Sequence, residues 1–151
     1  MPKQVYSYNL IKISDQTTNS STMVQDTDLN FYMQPNTAYN IEALININVS
    51  GDLSIYQWSI SGPDMPNSVL IKNELLILGN TSVSISSQNS YGITNSTITL
   101  AVTSAMLRIN AIIENGANSG EFSINFACAS GAYVTNGAGS YLRQTFGITI
   151  D

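Results

Sequence analysis

The sequence predicts an all-β protein, a single-domain antiparallel β-sandwich or jelly roll. Three observations predict it. Apolar and polar residues alternate with period two over most of the chain, while the 3.6-residue period of helices is hard to find. Breaks rich in Gly, Pro and Asn punctuate this alternation at residues 33–37, 61–67, 79–81, 88–95 and 136–139, and their spacing predicts about eight to ten strands. The length, 151 residues, suits one domain, and a domain of this size buries roughly 68–70% of the surface its unfolded chain exposes. Such a core needs neither metal nor disulfide, and no internal repeat interrupts it.

In chain order, the first segment, MPKQVYSYNLIKI, places Tyr6, Tyr8 and Leu10 on one strand face and Val5, Ile11 and Ile13 on the other. Neither face is polar. Residues 1–13 are therefore expected to form an N-terminal strand or arm packed on a neighbouring subunit or on a capsid, with Tyr6, Tyr8 and Leu10 as assembly contacts. The sandwich domain then covers residues 14–151. Residues 14–28 are polar and read as a long ordered loop or arm. From Tyr39 to Val49 the odd positions are apolar, so one face is buried and the other wet. Residues 82–87 repeat the pattern, with Val83 and Ile85 expected inward. At the C-terminus Leu142, Phe146, Ile148 and Ile150 oppose Arg143, Thr145 and Thr149.

Between residues 97 and 114 the phase changes. Ile98, Leu100 and Val102 hold even positions, and Ala105, Leu107, Ile109, Ala111 and Ile113 hold odd ones. A one-residue slip moves every side chain to the other face, so a bulge or a crossing between two sheets is expected near Thr103 and Ser104. After it comes NGANSGEFSINFAC, residues 115–128. Folding the chain back about its Gly-rich part sets Ile113 against Phe122 and Ile109 against Phe126, which predicts a hairpin. Asn115, Gly116 and Gly120 are expected to supply positive φ there. A phosphate cradle is excluded, because no helix follows the loop and no Lys lies near it.

Composition narrows the function. Five basic residues face ten acidic ones, which argues against nucleic acid and against anionic membrane surfaces. Asn, Ser and Thr make up about a third of the chain, a neutral polar surface that enters contacts at little cost in charge desolvation. The N-terminus has no apolar run like that of a signal peptide, and no stretch of 18 apolar residues occurs, so a cytosolic setting is expected. The sequons at Asn19, Asn48, Asn80 and Asn95 match the number expected by chance in such a composition.

No histidine is present, which removes the commonest general base and metal ligand. The single cysteine, Cys128, lies on an apolar strand face and reads as core. The ten acids form no motif of paired catalytic carboxylates. Asp26-Thr27-Asp28 opens like a calcium loop, but Phe31 stands where Gly is required and Thr37 where Glu is. That leaves at most a loose surface cation site. No catalytic, cofactor-binding or metal residue is assigned. The aromatics Tyr56, Trp58 and Tyr133 remain as candidates for a ligand or interface contact.

Several short landmarks recur in a fixed order: Ser14-Asp15-Gln16-Thr17, Asp26-Thr27-Asp28-Leu29, Tyr39-Asn40-Ile41-Glu42-Ala43, Ser61-Gly62-Pro63, Leu107-Arg108-Ile109-Asn110-Ala111 with Asn115, Gly116 and Gly120, and Ala138-Gly139-Ser140-Tyr141-Leu142-Arg143. In that order the chain resembles, from about residue 12 to residue 143, a β-sandwich module of tailed-bacteriophage virion proteins. The resemblance implies a non-enzymatic virion structural protein without cofactor. It implies a homotrimer that contacts the major capsid protein or other virion proteins, as a capsid decoration (cement) protein does on the mature head assembled in the host cytoplasm. The alternative within the same resemblance is a tail, neck or receptor-binding module, host-surface or glycan-binding. Almost nothing precedes the module, which disfavours a fibre.

Overall fold

The computed structural model describes residues 3–50, 55–77, 83–96, 104–130 and 133–149. Twelve strands run through them and no helix does: β1 (Lys3–Ile11), β2 (Gln16–Thr18), β3 (Val24–Met33), β4 (Ala38–Ser50), β5 (Tyr56–Ser61), β6 (Ser68–Ile77), β7 (Val83–Gln88), β8 (Asn95–Ser96), β9 (Ser104–Glu114), β10 (Gly120–Cys128), β11 (Tyr133–Asn136) and β12 (Tyr141–Thr149). The larger sheet follows the order β1-β12-β4-β9-β6-β7, with β11 beside β4 and β2 beside β11; the smaller is β3-β10-β5-β8. All pairings are antiparallel, and the two sheets stack as the expected sandwich.

β4 is the spine. Along one edge it pairs with β9 from Ala38 opposite Glu114 to Asn48 opposite Ser104. The other edge is shared, its first half by β12 and its second by β11. Strict alternation makes this possible: Tyr39, Ile41, Ala43, Ile45, Ile47 and Val49 are all buried, as the sequence predicts. They meet Ala105 through Ile113 of β9 beside them, and the core is completed from the smaller sheet by Leu29, Phe31, Met33, Tyr56, Trp58, Ile60, Phe122, Ile124, Phe126 and Cys128.

The hairpin reading of residues 115–128 is corrected. β9 pairs with β4 and β6 in the larger sheet, and β10 pairs with β3 and β5 in the smaller. Ile113 and Ile109 thus have no ladder contact with Phe122 and Phe126. Alternation identifies which residues point inward, and all of these do; it does not distinguish a partner in the same sheet from one in the sheet above. The loop is an arch between layers. Asn115, Gly116 and Gly120 are not among the positive-φ residues, which among the described residues are Asn36, Met65, Gly92 and Gly139. Gly116 is needed for room, since a Cβ there would lie 2.3 Å from the Met65 carbonyl oxygen.

Three other expectations change. Ile85 is 61% exposed, so the inward face of β7 belongs to the even positions, with Gln88 buried; the side chain of Val83 lies outside the described residues. Residues 14–28 are no plain loop, because they hold β2 and the first half of β3. The N-terminal segment does not leave its own sandwich: β1 pairs with β12 over nine positions, from Lys3 opposite Thr149 to Ile11 opposite Tyr141. β8 lies in the smaller sheet and β9 in the larger, while the phase change itself, expected near Thr103 and Ser104 as a bulge or a crossing, falls on residues 97–103, outside the described residues. Ile98, Leu100, Val102, Thr103 and Ile150 lie outside the described residues, as does the side chain of Ile148.

Phe126 is fully buried, stacks on Tyr56 at 6.2 Å and lies opposite Trp58 in the ladder. Phe126→Ala is expected to lower the unfolding free energy by about 3–5 kcal/mol in urea denaturation, because a cavity opens between rings that cannot collapse into it.

Candidate functional site

Two places concentrate polar chemistry. The first is buried. β3 departs from the ladder opposite Ile124, where the register with β10 slips between Ser123 and Asn125. The displaced residues form an Asx-type turn. Asp26 Oδ1 accepts the backbone N–H of Asp28 at 3.0 Å and of Leu29 at 3.2 Å, and the Asn30 amide donates to the carbonyls of Asp26 and Thr27. This turns both carboxylates inward onto Lys12, whose ammonium lies 3.1 Å from Asp26 Oδ1, 3.3 Å from Asp28 Oδ2 and 3.4 Å from Gln16 Oε1. The cation that the Asp26-Thr27-Asp28 pattern suggested is therefore the chain's own lysine. Among the described residues no cluster of His, Cys, Asp and Glu is arranged to hold a metal.

Lys12 is 1% exposed and Asp26 fully buried. The network continues through the core: Asn136 donates from Nδ2 to Asp26 Oδ2 at 2.9 Å, and the Tyr56 hydroxyl donates to Asn136 Oδ1 at 2.8 Å. Burial first, and the Asp26 charge second, raise the Tyr56 phenol well above its ordinary range. The Lys12 backbone is clamped as well, its N–H donating to the Ser140 carbonyl and its carbonyl accepting from Gly139, each at 2.8 Å. Asp15 Oδ1 caps the Ala138 N–H at 2.8 Å. The landmark segments around Asp15, Asp26 and Ser140, far apart in sequence, thus converge on one lysine.

The second place is the outer face of the larger sheet. Three neighbouring strands give the row Arg143, Glu42, Asn110, and β6 extends it to Lys72. Glu42 accepts from Arg143 at 3.0 Å and from the Tyr141 hydroxyl at 2.9 Å; the Tyr141 bond first holds the Glu42 carboxyl below its ordinary value. Glu74 bridges Lys72 and Arg108 at 3.4 and 3.6 Å. All the exposed cations among the described side chains, Lys72, Arg108 and Arg143, lie here. Between them stand exposed aliphatics: Ile112 opposite Leu70, both more than half exposed, with Leu76 and Ile85 beyond.

The aromatic candidates are not brought together. Tyr56 and Trp58 are core residues, 0% and 4% exposed, stacked on each other at 5.8 Å. Tyr133, on β11, is 54% exposed and stands opposite Ser50 on the other side of the larger sheet from the core. No groove combines the three, because the even positions of β5 are the ones that face the opposing sheet. Tyr6 and Tyr8 stack on Phe146 of their own sandwich at 5.4 and 6.3 Å, and Leu10 packs at the core's rim. Cys128 is buried, as expected, its thiol 3.1 Å from the Ser130 carbonyl.

No family model and no curated protein matches the chain. Among solved structures it is similar to the Gx strain of infectious bursal disease virus, at 11% identity over 96% of this chain and 39% of that one, with a TM-score of 0.28. It is also similar to the VP2 subviral particle of infectious bursal disease virus, at 9% identity over 96% and 41%, and to the Gt strain, at 10% over 96% and 39%, each with a TM-score of 0.24. The chain spans about two fifths of those chains. At such scores the likeness carries no argument about function.

Tyr56→Phe leaves Asn136 Oδ1 without its donor in a dry core, and is expected to cost about 1–3 kcal/mol of unfolding free energy. Tyr133→Ala, on the surface, is expected to stay within about 0.5 kcal/mol. Chemical denaturation of the two variants side by side checks both.

Proposed function

We propose that this chain is a non-enzymatic structural protein of a tailed-phage virion, and within that class a trimeric decoration protein that binds and stabilises the assembled head. The observation that carries the reading is the outer face of the larger sheet. It is broad and backed by a rigid core, and it pairs exposed Leu70, Leu76, Ile85 and Ile112 with the exposed cations. Apolar patches interleaved with charge suit contact with another protein. The ordered sequence landmarks supply the class of partner.

The physical logic is mass action. A subunit that binds the finished shell and not its precursor adds its binding free energy to the shell's stability. Three linked copies multiply weak contacts through effective concentration. The outer edge of β1, which pairs with no further strand among the described residues, offers a second contact region close to Tyr6, Tyr8 and Leu10. The tail or receptor-binding alternative would show itself in an exposed aromatic groove around Tyr56, Trp58 or Tyr133; Tyr56 and Trp58 are core residues, which leaves only the exposed Tyr133 to that reading.

Purified protein is expected to scatter light as a trimer and to bind expanded shells but not precursor shells. Leu70→Arg combined with Ile112→Arg is expected to abolish shell binding and leave melting nearly unchanged, because neither side chain is in the core. A stable monomer that ignores shells of either kind contradicts the proposal.

A further inference from the structure

We infer that the folded chain joins Lys12 to Asn136 through an intramolecular isopeptide bond, with Asp26 carrying the proton. The inference is independent of the virion reading. It starts from an arrangement that stability alone does not require: an amine, a carboxyl and a carboxamide, each no more than 1% exposed, gathered between two sheets. One carboxylate holds both reacting groups. Its Oδ1 lies 3.1 Å from Lys12 Nζ, and its Oδ2 accepts from Asn136 Nδ2 at 2.9 Å. Nucleophile and leaving group thus share a single acid–base group, as proton shuttling between them requires.

The electrophile is prepared as well. The Tyr56 hydroxyl donates to Asn136 Oδ1 at 2.8 Å, the oxygen on which negative charge develops when the amide carbon is attacked. Trp58 and Phe126 flank Tyr56 at 5.8 and 6.2 Å and keep water away, so that the amide is not simply hydrolysed. The two bonds between the Lys12 backbone and residues 139 and 140 fix the lysine's base at the corner that follows β11, within four residues of Asn136 in the chain.

The step balances. A proton passes from Nζ to Asp26, discharging both groups, and the neutral amine adds to Cγ of Asn136. The Nζ–Cγ bond forms and the Cγ–Nδ2 bond breaks. Of the two protons that Nζ loses overall, one leaves on Nδ2 as ammonia and the other stays on Asp26 or departs with the ammonia as ammonium. No oxidant, reductant or cofactor is required. The product ties the end of β1 to β11 and encloses β2 through β10 in one covalent loop.

The test is the intact mass of the full chain after denaturation, followed by a protease digest. The expected mass is that of the sequence less one ammonia, with a branched peptide linking Lys12 to Asn136. Asp26→Ala and Lys12→Ala are expected to keep their full sequence mass. Asn136→Asp, which preserves the side chain's shape, is expected to lose water in place of ammonia. The wild-type mass decides the matter even where a variant fails to fold. A folded wild-type chain that keeps its full mass on prolonged incubation overturns the inference. So does a loss of water with a branch between Lys12 and Asp26, or a loss of ammonia with no Lys12 branch.

Discussion

Lys12 lies in the core with its ammonium held by Asp26, Asp28 and Gln16, and the two sheets close around that cluster. An unpaired charge in such a place costs several kcal/mol, so each partner is present because the others are. The lysine enters from the end of β1 in the larger sheet. The aspartates come from a displaced stretch of β3 in the smaller, Asn136 from β11 and Tyr56 from β5. A network with partners in both layers sets their relative position in a way that interchangeable aliphatic contacts do not. It also fixes the irregular features around it: the slipped register of β3, the corner at residues 137–140 where β11 gives way to β12, and the positive φ of Gly139.

At the end of the sandwich that carries residues 34–37, three loops clamp one another. The Asn115 side-chain amide donates to the carbonyls of Gln34 and Asn118, while the backbone N–H of Asn36 donates to the Gly116 carbonyl and the backbone N–H of Asn67 to that of Glu114. Buried Asn in place of apolar residues serves here because an arch between sheets leaves backbone carbonyls with no ladder partner, and a side-chain amide can satisfy two at once. The abundance of Asn thus has a structural part as well as a solubilising one.

The fold class and the inward face of β4, β9 and β10 were legible in the sequence, because burial of one sheet face imposes period two directly on residues such as Ile41, Ile109 and Phe122. Pairing was not. Ile113 and Phe122 both point inward, and only the three-dimensional path places one in each sheet. Ile85 departs from the inward expectation because an edge strand tolerates an exposed isoleucine while burying Gln88. The Lys12 cluster left only an indirect trace: a lone lysine in an apolar run, IKIS, followed by Asp26 and Asp28 in a polar stretch that looked like loop. Tyr56 and Trp58 drew attention as aromatics, and their partners Asn136 and Phe126 are too distant in sequence to reveal that both rings are core.

The central claim is that Lys12 and Asp26 act as one unit on which the joining of the sheets depends. A double-mutant cycle measures it in an Asn136→Leu background, where no cross-link to Lys12 can form. It uses unfolding free energies of that background chain and of the same chain with Lys12→Met, with Asp26→Leu and with both. The account predicts that each single replacement costs about 3–5 kcal/mol, since it strands a buried charge, and that the double replacement costs well under the sum. Two small, additive losses contradict it, because they mean that the sheets are held by apolar packing alone and the buried lysine is incidental.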